Sequence, residues 1–408
     1  MEQVYKLYSS LGESEERKTR AEIDLSALRH NYRLLHGIVT EKDPHVRVIA
    51  VVKAEAYGHG APACVSVLLD EGCDFFAVSC IDEAEAVRRI CDEEQKEADI
   101  LILGYTQPSL AYRIARYNLI QTLLSENYAL LLHNAATNAG VTVRTHIAVD
   151  TGMNRIGIPA HSDEELSAAV AAIMRIRGFQ NLNIEGMFTH FARADEDEGG
   201  EGDRLTDLQA DRYENLRRAL EDRNVPIPFH HLCNSAAAVR RPQNRANGVR
   251  LGILLFGASP SEQIHLPLKP VLKLKTVISH LHKLLPGESV SYGGDFTADS
   301  QRLIATLPIG YADGFLRSYS GASVTVETDE GPRVCPIVGR ICMDQCMIDV
   351  TDTGAQAGNT VTFFGNAPEE LSKYACRANT VNYECLCLLS SRVPRLYYDQ
   401  ESHKEIYP

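Results

Sequence analysis

Between Val46 and Val249 the chain carries eight short apolar runs: Val46–Val52, Phe75–Val78, Ile100–Leu103, Leu119–Leu123, Val143–Val149, Ile184–Thr189, Phe229–Cys233 and the stretch around Val249. The first, VRVIAVV, is apolar at almost every position instead of at alternate ones. A strand reads that way when both of its faces are covered, as in a parallel sheet flanked by helices. Amphipathic stretches separate the runs. Leu25, Leu28, Tyr32 and Leu35 share one helical face before the first, and Leu205, Leu208, Leu216 and Leu220 form a stripe after the sixth. Eight strands with helical crossovers predict an α/β chain that begins with a (β/α)8 barrel of the TIM type. A doubly wound open sheet shares this periodicity; the count of eight and the clustering of polar residues favour the barrel.

From about Ile264 the texture changes. Leu272, Leu274 and Thr276 alternate with Lys273, Lys275 and Val277, and Gly and Pro punctuate the rest (Pro286-Gly287, Gly293-Gly294, Gly331-Pro332). This predicts a second, mainly β domain. The expected division is a barrel over residues 22–262 and a β domain over 263–408, with residues 1–21 associated with the latter. Glu196–Asp203, acidic and Gly-rich, reads as a solvated loop.

A chain of 408 residues suits two such domains. Its formal net charge of −13 argues against a nucleic-acid-coating or anionic-membrane protein, both of which need basic surface. No apolar run approaches the ~20 residues of a membrane span. Met1 to Arg20 lacks the apolar core of a secretion signal. The eleven cysteines include no C-x-x-C pair, so free thiols in the cytoplasm, with no metal site, are expected.

The polar residues gather at the strand ends. Lys53 follows the first run, Arg155 the fifth, His190 closes the sixth, Asn234 and Ser235 follow the seventh, and Arg250 sits at the eighth. In a parallel barrel these ends form the C-terminal rim, where active sites are built. A lysine directly after a buried strand can be a snorkelling side chain, or an amine desolvated enough to form an imine. Ser235 can be a simple helix cap, or part of an anion cradle together with Gly252 and Ile253 past the last strand. An imine-forming lysine, a phosphate cradle and a nearby tyrosine together point to pyridoxal phosphate.

AVVKAEAYGHG (Ala50–Gly60) resembles the cofactor-lysine signature of alanine racemases. DTGMNRIGI (Asp150–Ile158), EGMFTHFARAD (Glu185–Asp195), CNSAA (Cys233–Ala237) and VRLGILLFG (Val249–Gly257) are similar too. So are IGYADG (Ile309–Gly314), GRICMDQCMIDV (Gly339–Val350), NYE (Asn382–Glu384) and SRVPR (Ser391–Arg395). The motifs keep the family's order over nearly the whole chain.

The resemblance implies that Lys53 holds pyridoxal phosphate in imine linkage and acts as acid/base on one face of the substrate Cα. Tyr311 of the other subunit of a homodimer would serve the opposite face, as racemisation requires. Arg155 and His190 would favour its phenolate, with Arg155 also steering the substrate carboxylate. Arg250 would face the pyridine nitrogen and, keeping its own proton, weaken the ring as an electron sink. Tyr57, Ser235, Tyr383, Gly252 and Ile253 would hold the phosphate, with Asn234 in support. Met343, flanked by Cys342 and Asp344, would meet the substrate carboxylate across the dimer, and Asp195 and Arg340 would line the access passage. The implied activity is interconversion of L- and D-alanine for peptidoglycan.

Two departures bear on the substrate. Ala148 stands where the family often has a lysine, carboxylated in some members, that clamps the arginine equivalent to Arg155. Glu55 stands where Asn is common. Losses like the first occur in serine-preferring relatives associated with vancomycin-resistance clusters, which Ile102–Thr106 (ILGYT) also resembles, so a serine racemase is the alternative. A non-catalytic pyridoxal-phosphate barrel would lack the second domain. A decarboxylase or aldolase would pair the pyridine nitrogen with an acid in place of Arg250.

Overall fold

The computed structural model describes residues 18–400 apart from Asp197, together with the backbone of the strand Lys404–Ile406. Among these residues all eight apolar runs form strands: Arg47–Val51, Phe75–Val78, Asp99–Ile102, Ile120–Leu123, Val143–Asp150, Leu182–Phe188, Phe229–His231 and Gly248–Leu251. Each pairs in parallel with the next, and the eighth returns to the first through Val249 opposite Val48 and Arg250 opposite Ile49. The sheet is therefore a closed barrel, and the open-sheet alternative falls.

Helices follow from spacing and caps. In Leu25–Thr40 the buried residues Leu25, Leu28, Tyr32, Leu35 and Val39 recur at three to four positions, and Asp24 caps the first turn by accepting from the Ala27 amide at 3.0 Å. Asn31 on the same face is buried as well. Its Nδ2 donates to the Leu255 and Lys269 carbonyls at 3.0 and 2.8 Å, tying this helix to the turn after the last barrel strand.

Two expectations change in the sixth crossover. The buried face of helix Glu201–Glu221 runs through Thr206, Gln209, Tyr213, Leu216 and Leu220, whereas Leu208 is exposed. A polar residue is buried there because it finds partners: both ends of the Gln209 amide bond to the loop below. The acidic segment is not all solvated loop either. Asp203 lies in the helix's first turn, accepts from the Gly199 amide at 2.7 Å and pairs with Arg241 at 2.6 Å.

Among the described residues the β domain has a separate two-stranded sheet, Ser289–Val290 with Phe296–Thr297, and a ten-stranded one. Leu272, Leu274 and Thr276 are buried, as the alternation predicts, and the lysines between them are partly exposed. Arg20–Asp24 joins this sheet, antiparallel to Leu272–Val277 and parallel to Arg395–Asp399. No helix among the described residues is long and apolar enough to cross a membrane.

Candidate active site

A cavity of about 480 Å³ opens at the C-terminal rim of the barrel. Lys53, Tyr57, Arg155, His190, Asp195, Asn234, Ser235, Arg250, Gly252, Ile253 and Tyr383, the barrel-side residues singled out from the sequence together with Tyr383 of the helix Asn382–Cys387, all line it.

Lys53 leaves the first strand and enters an unusual turn. Ala54, Glu55, Ala56 and Tyr57 all have φ between +51° and +55°. Each non-glycine residue in this left-handed conformation costs about 1–2 kcal/mol, so the surroundings must hold the run. Glu83 accepts from the Ala54 and Ser79 amides at 2.8 and 2.7 Å, joining the ends of the first two barrel strands. Glu55 accepts from the Ala61 amide at 3.2 Å, and Arg395 donates to the Gly58 carbonyl at 3.1 Å. Burial first, and then the charge of Arg155, bring the Lys53 ammonium below its ordinary pKa. A lowered pKa frees the amine for imine formation and proton transfer.

Across the cavity, the Gly252 amide donates to Ser235 Oγ at 2.8 Å, which leaves the Ser235 hydroxyl proton to be donated onward. A Cβ at Gly252 would come within 2.4 Å of Tyr57 Oη, so only glycine admits this approach. Burial drives the phenols of Tyr57 and Tyr383 upward, keeping both protonated as donors. Asn234 caps the following helix by accepting from the Ala237 amide at 3.0 Å.

Arg250 lies buried inside the barrel with no acidic partner among its hydrogen bonds. It donates to the carbonyls of His231, Thr189 and Leu232 at 2.6, 2.7 and 2.9 Å. It also meets Nδ1 of His231 at 2.7 Å and Nδ1 of His190 at 3.1 Å. His231 continues to His146, with 3.0 Å between nitrogens. Burial, then the charge of Arg250, hold His190 and His231 well below the ordinary imidazole pKa. Arg155, by contrast, is exposed at the mouth of the cavity, on a loop that Asp150 shapes by accepting from the amides of Gly152, Met153 and Asn154 at 3.0–3.1 Å.

Tyr311, Arg340, Cys342, Met343 and Asp344 are not brought to this cavity. They cluster on the β domain, where the Tyr311 and Ala312 amides donate to the Cys342 and Met343 carbonyls at 3.0 and 2.9 Å. Asp344 pairs with Arg392 at 2.8 Å and Arg340 with Asp295 at 2.5 Å. Two residues that sequence reasoning passed over become prominent. Gln209 accepts from the Ala192 amide and donates to the His190 carbonyl, at 2.9 and 3.0 Å, so it braces the loop of His190. Tyr292, in the Ser-Tyr-Gly-Gly segment read only as punctuation, is 72% exposed, and its neighbours Ser291 and Gly293 lie against Arg340 of this cluster. Its predecessor Ser291 has φ +64° and donates to the Arg340 carbonyl at 2.7 Å. A turn-forming Gly-Gly directly after a tyrosine was the available signal.

Residues 23–260 match the profile of the alanine racemase N-terminal domain, and residues 271–397 that of its C-terminal domain. The chain belongs to the alanine racemase family. It is 38% identical to alanine racemase 1 of Clostridium acetobutylicum over 384 residues, covering 92% of this chain and 94% of that one. It is 37% identical to the alanine racemase of Methanococcus maripaludis, over 92% and 98% of the two chains. The crystal structure of the Bacillus anthracis alanine racemase with bound L-Ala-P superposes with a TM-score of 0.82 at 33% identity, covering 94% of this chain and 96% of that one.

Alanine racemases are pyridoxal-phosphate enzymes, and the cavity fits that cofactor. It brings together an amine of lowered pKa, hydroxyl donors grouped around a glycine that lets Tyr57 Oη approach closely, and a buried guanidinium. No group of three or more metal-ligating side chains occurs among the described residues.

Proposed function

We propose that this chain interconverts L- and D-alanine, with each active site shared between two copies in a homodimer. The observation that carries the reading is the division of its chemistry. The cavity supplies Lys53, Arg155 and Arg250, while a second polar and aromatic cluster stands exposed on the β domain, with Met343 54% and Tyr292 72% exposed. A second copy that brought this cluster to the cavity would place acid/base groups on both sides of one Cα.

Lys53 would hold pyridoxal phosphate, which would supply electron withdrawal at the substrate Cα once the substrate amine has displaced the Lys53 amine and freed it as a base. Ser235, Tyr57 and Tyr383 would hold the cofactor's phosphate as hydroxyl donors, and Arg250 would hold its ring without an acidic partner. The Lys53 amine takes or returns the proton on one face. Arg155, exposed at the mouth, pairs with the substrate carboxylate, and the Met343 backbone meets that carboxylate from the other chain. Neutral His190 leaves Nε2–H available to a phenolate oxygen.

The opposite base is assigned to Tyr292 of the second copy, in place of the Tyr311 expected from the sequence. Tyr292 is the more exposed of the two, at 72% against 44%, and it sits where the backbone is strained at Ser291. Strain held in place by surrounding bonds is a mark of positioned functional groups. Tyr311 lies on the turn Tyr311–Asp313, with its amide bonded to the Cys342 carbonyl.

Racemisation by purified protein, read as loss of optical rotation and exchange of the Cα proton with solvent, tests the activity. A kcat/KM for L-serine at least about tenfold above that for L-alanine would transfer the assignment to serine, the alternative that Ala148 keeps open. The product fits D-alanine supply for peptidoglycan. Eleven cysteines without a disulfide fit a reducing cytoplasm.

A further inference from the structure

His59 does not line the cavity, yet it touches both walls of the phosphate cradle. Its ring is fully buried, with Nδ1 2.9 Å from the Ala56 carbonyl and 3.0 Å from the Tyr57 carbonyl. Both partners are acceptors only, so Nδ1 carries the proton and donates. Ala56 and Tyr57 are the last two non-glycine residues of the left-handed run, and Tyr57 carries the ring of the cradle. On its face, His59 stacks against Phe256 with centroids 4.5 Å apart. Phe256 closes the turn Ile253–Phe256 behind Gly252 and also meets the Tyr57 ring at 5.2 Å. Nε2 of His59 has no hydrogen-bond partner among the described residues. Packing alone would be served as well by phenylalanine; what phenylalanine lacks is the Nδ1 proton.

We propose that His59 is a positioning residue for the phosphate of the cofactor: by donating to two carbonyls of the left-handed turn, it fixes Tyr57 Oη against Gly252. This rests on the reading of Tyr57, Ser235 and Gly252 as the phosphate cradle, and it adds a residue outside the cavity on which that cradle depends. The amide nitrogen of an asparagine at position 59 would fall near Nδ1, and that of a glutamine near Nε2. Only asparagine should therefore replace histidine.

Full-length protein stripped of cofactor is titrated with pyridoxal phosphate and with pyridoxal, which lacks the phosphate, and the ratio of the two dissociation constants is compared among variants. Loss of one charge-assisted contact predicts that Tyr57→Phe lowers the preference for the phosphorylated form about tenfold. His59→Phe and His59→Gln should lower it comparably with pyridoxal affinity unchanged, and His59→Asn should stay within about threefold of the parent. If His59→Phe fails to fold, the asparagine and glutamine variants decide, since they differ in where the amide nitrogen lies. Equal weakening of both ligands in His59→Gln, or a ratio unchanged there but lowered in Tyr57→Phe, overturns the proposal alone. A ratio unchanged in Tyr57→Phe overturns the cradle reading as well.

Discussion

Arg250 donates to Nδ1 of His190 across 3.1 Å, and the contact settles the proton inventory of the barrel centre. A ring nitrogen that accepts from a guanidinium carries no proton there, so His190 is neutral with its proton on Nε2. His231 accepts from the same guanidinium and hands its own Nε2–H to His146. Burial lowers Arg250 to about 10, still cationic at neutral pH. Burial, and then this one positive charge, thus keep the two imidazoles beside it uncharged.

This arrangement makes the fold sensitive to acid. His59 is lowered to about 4 and His146 to about 3, and His190 and His231 also lie well below the usual value. The unfolded chain binds these protons from about pH 6.5 downward while the folded one refuses them, so stability rises with pH and is lost on acidification. Each such histidine removes about 1.4 kcal/mol per pH unit once the pH is well below that value. Urea midpoints should therefore fall steeply between about pH 6.5 and 5. A flat profile over that interval would show that these rings titrate normally.

Gly252→Ala tests the cradle from the other wall. The added methyl would lie 2.4 Å from Tyr57 Oη, closer than real contacts allow, so Tyr57 must move. Affinity for pyridoxal phosphate should drop by at least about tenfold, with a smaller loss for pyridoxal. Equilibrium titration of the stripped protein provides the measurement.

Sharing of the active site can be read by complementation. Lys53→Ala and Tyr292→Phe chains should each be inactive alone, whereas mixed dimers regain one intact site. Random reassembly should then restore roughly a quarter of the parent activity. Loss of a general acid/base predicts a fall of about 10²–10⁴-fold for Tyr292→Phe, with a much smaller effect for Tyr311→Phe. The reverse ranking would return the base to Tyr311.

Gln209→Leu removes the bonds to Ala192 and His190 while keeping the buried volume. It should cost about 1–3 kcal/mol in urea unfolding, because an amide and a carbonyl are left without that partner. Since the braced loop carries His190, kcat/KM should fall more than the stability loss explains. Equal activity per folded molecule would make Gln209 a packing residue only.

The barrel was legible because its strands are covered on both faces, which imposes continuous apolar runs with Lys53, Arg155, His190 and Arg250 at or shortly after their ends. Polar burial was not. Gln209 occupies a core position through partners supplied by a distant loop, so a leucine stripe through Leu208 looked better than the real one. Ala54–Tyr57 has the composition of an ordinary helix. Its left-handed path is held by Glu83 and Arg395, which become neighbours only on folding, and by Glu55 within the run, which reaches the Ala61 amide. Tyr292 was hidden for a related reason: in sequence it is one aromatic before a glycine turn, and only the exposed cluster of the β domain singles it out.

Ala21 pairs with Arg395, so the first strand of the described chain lies in register with one completed almost at the other end. During synthesis the barrel strands, all made before Ile253, can close while the ribosome still holds the remainder. The β sheet cannot: Arg20–Asp24 must wait for Arg395–Asp399 to emerge before it has both neighbours. The first strand of the described residues is thus among the last to gain both neighbours, and a nascent chain halted before that point would carry a finished cofactor barrel with an open, adhesive edge.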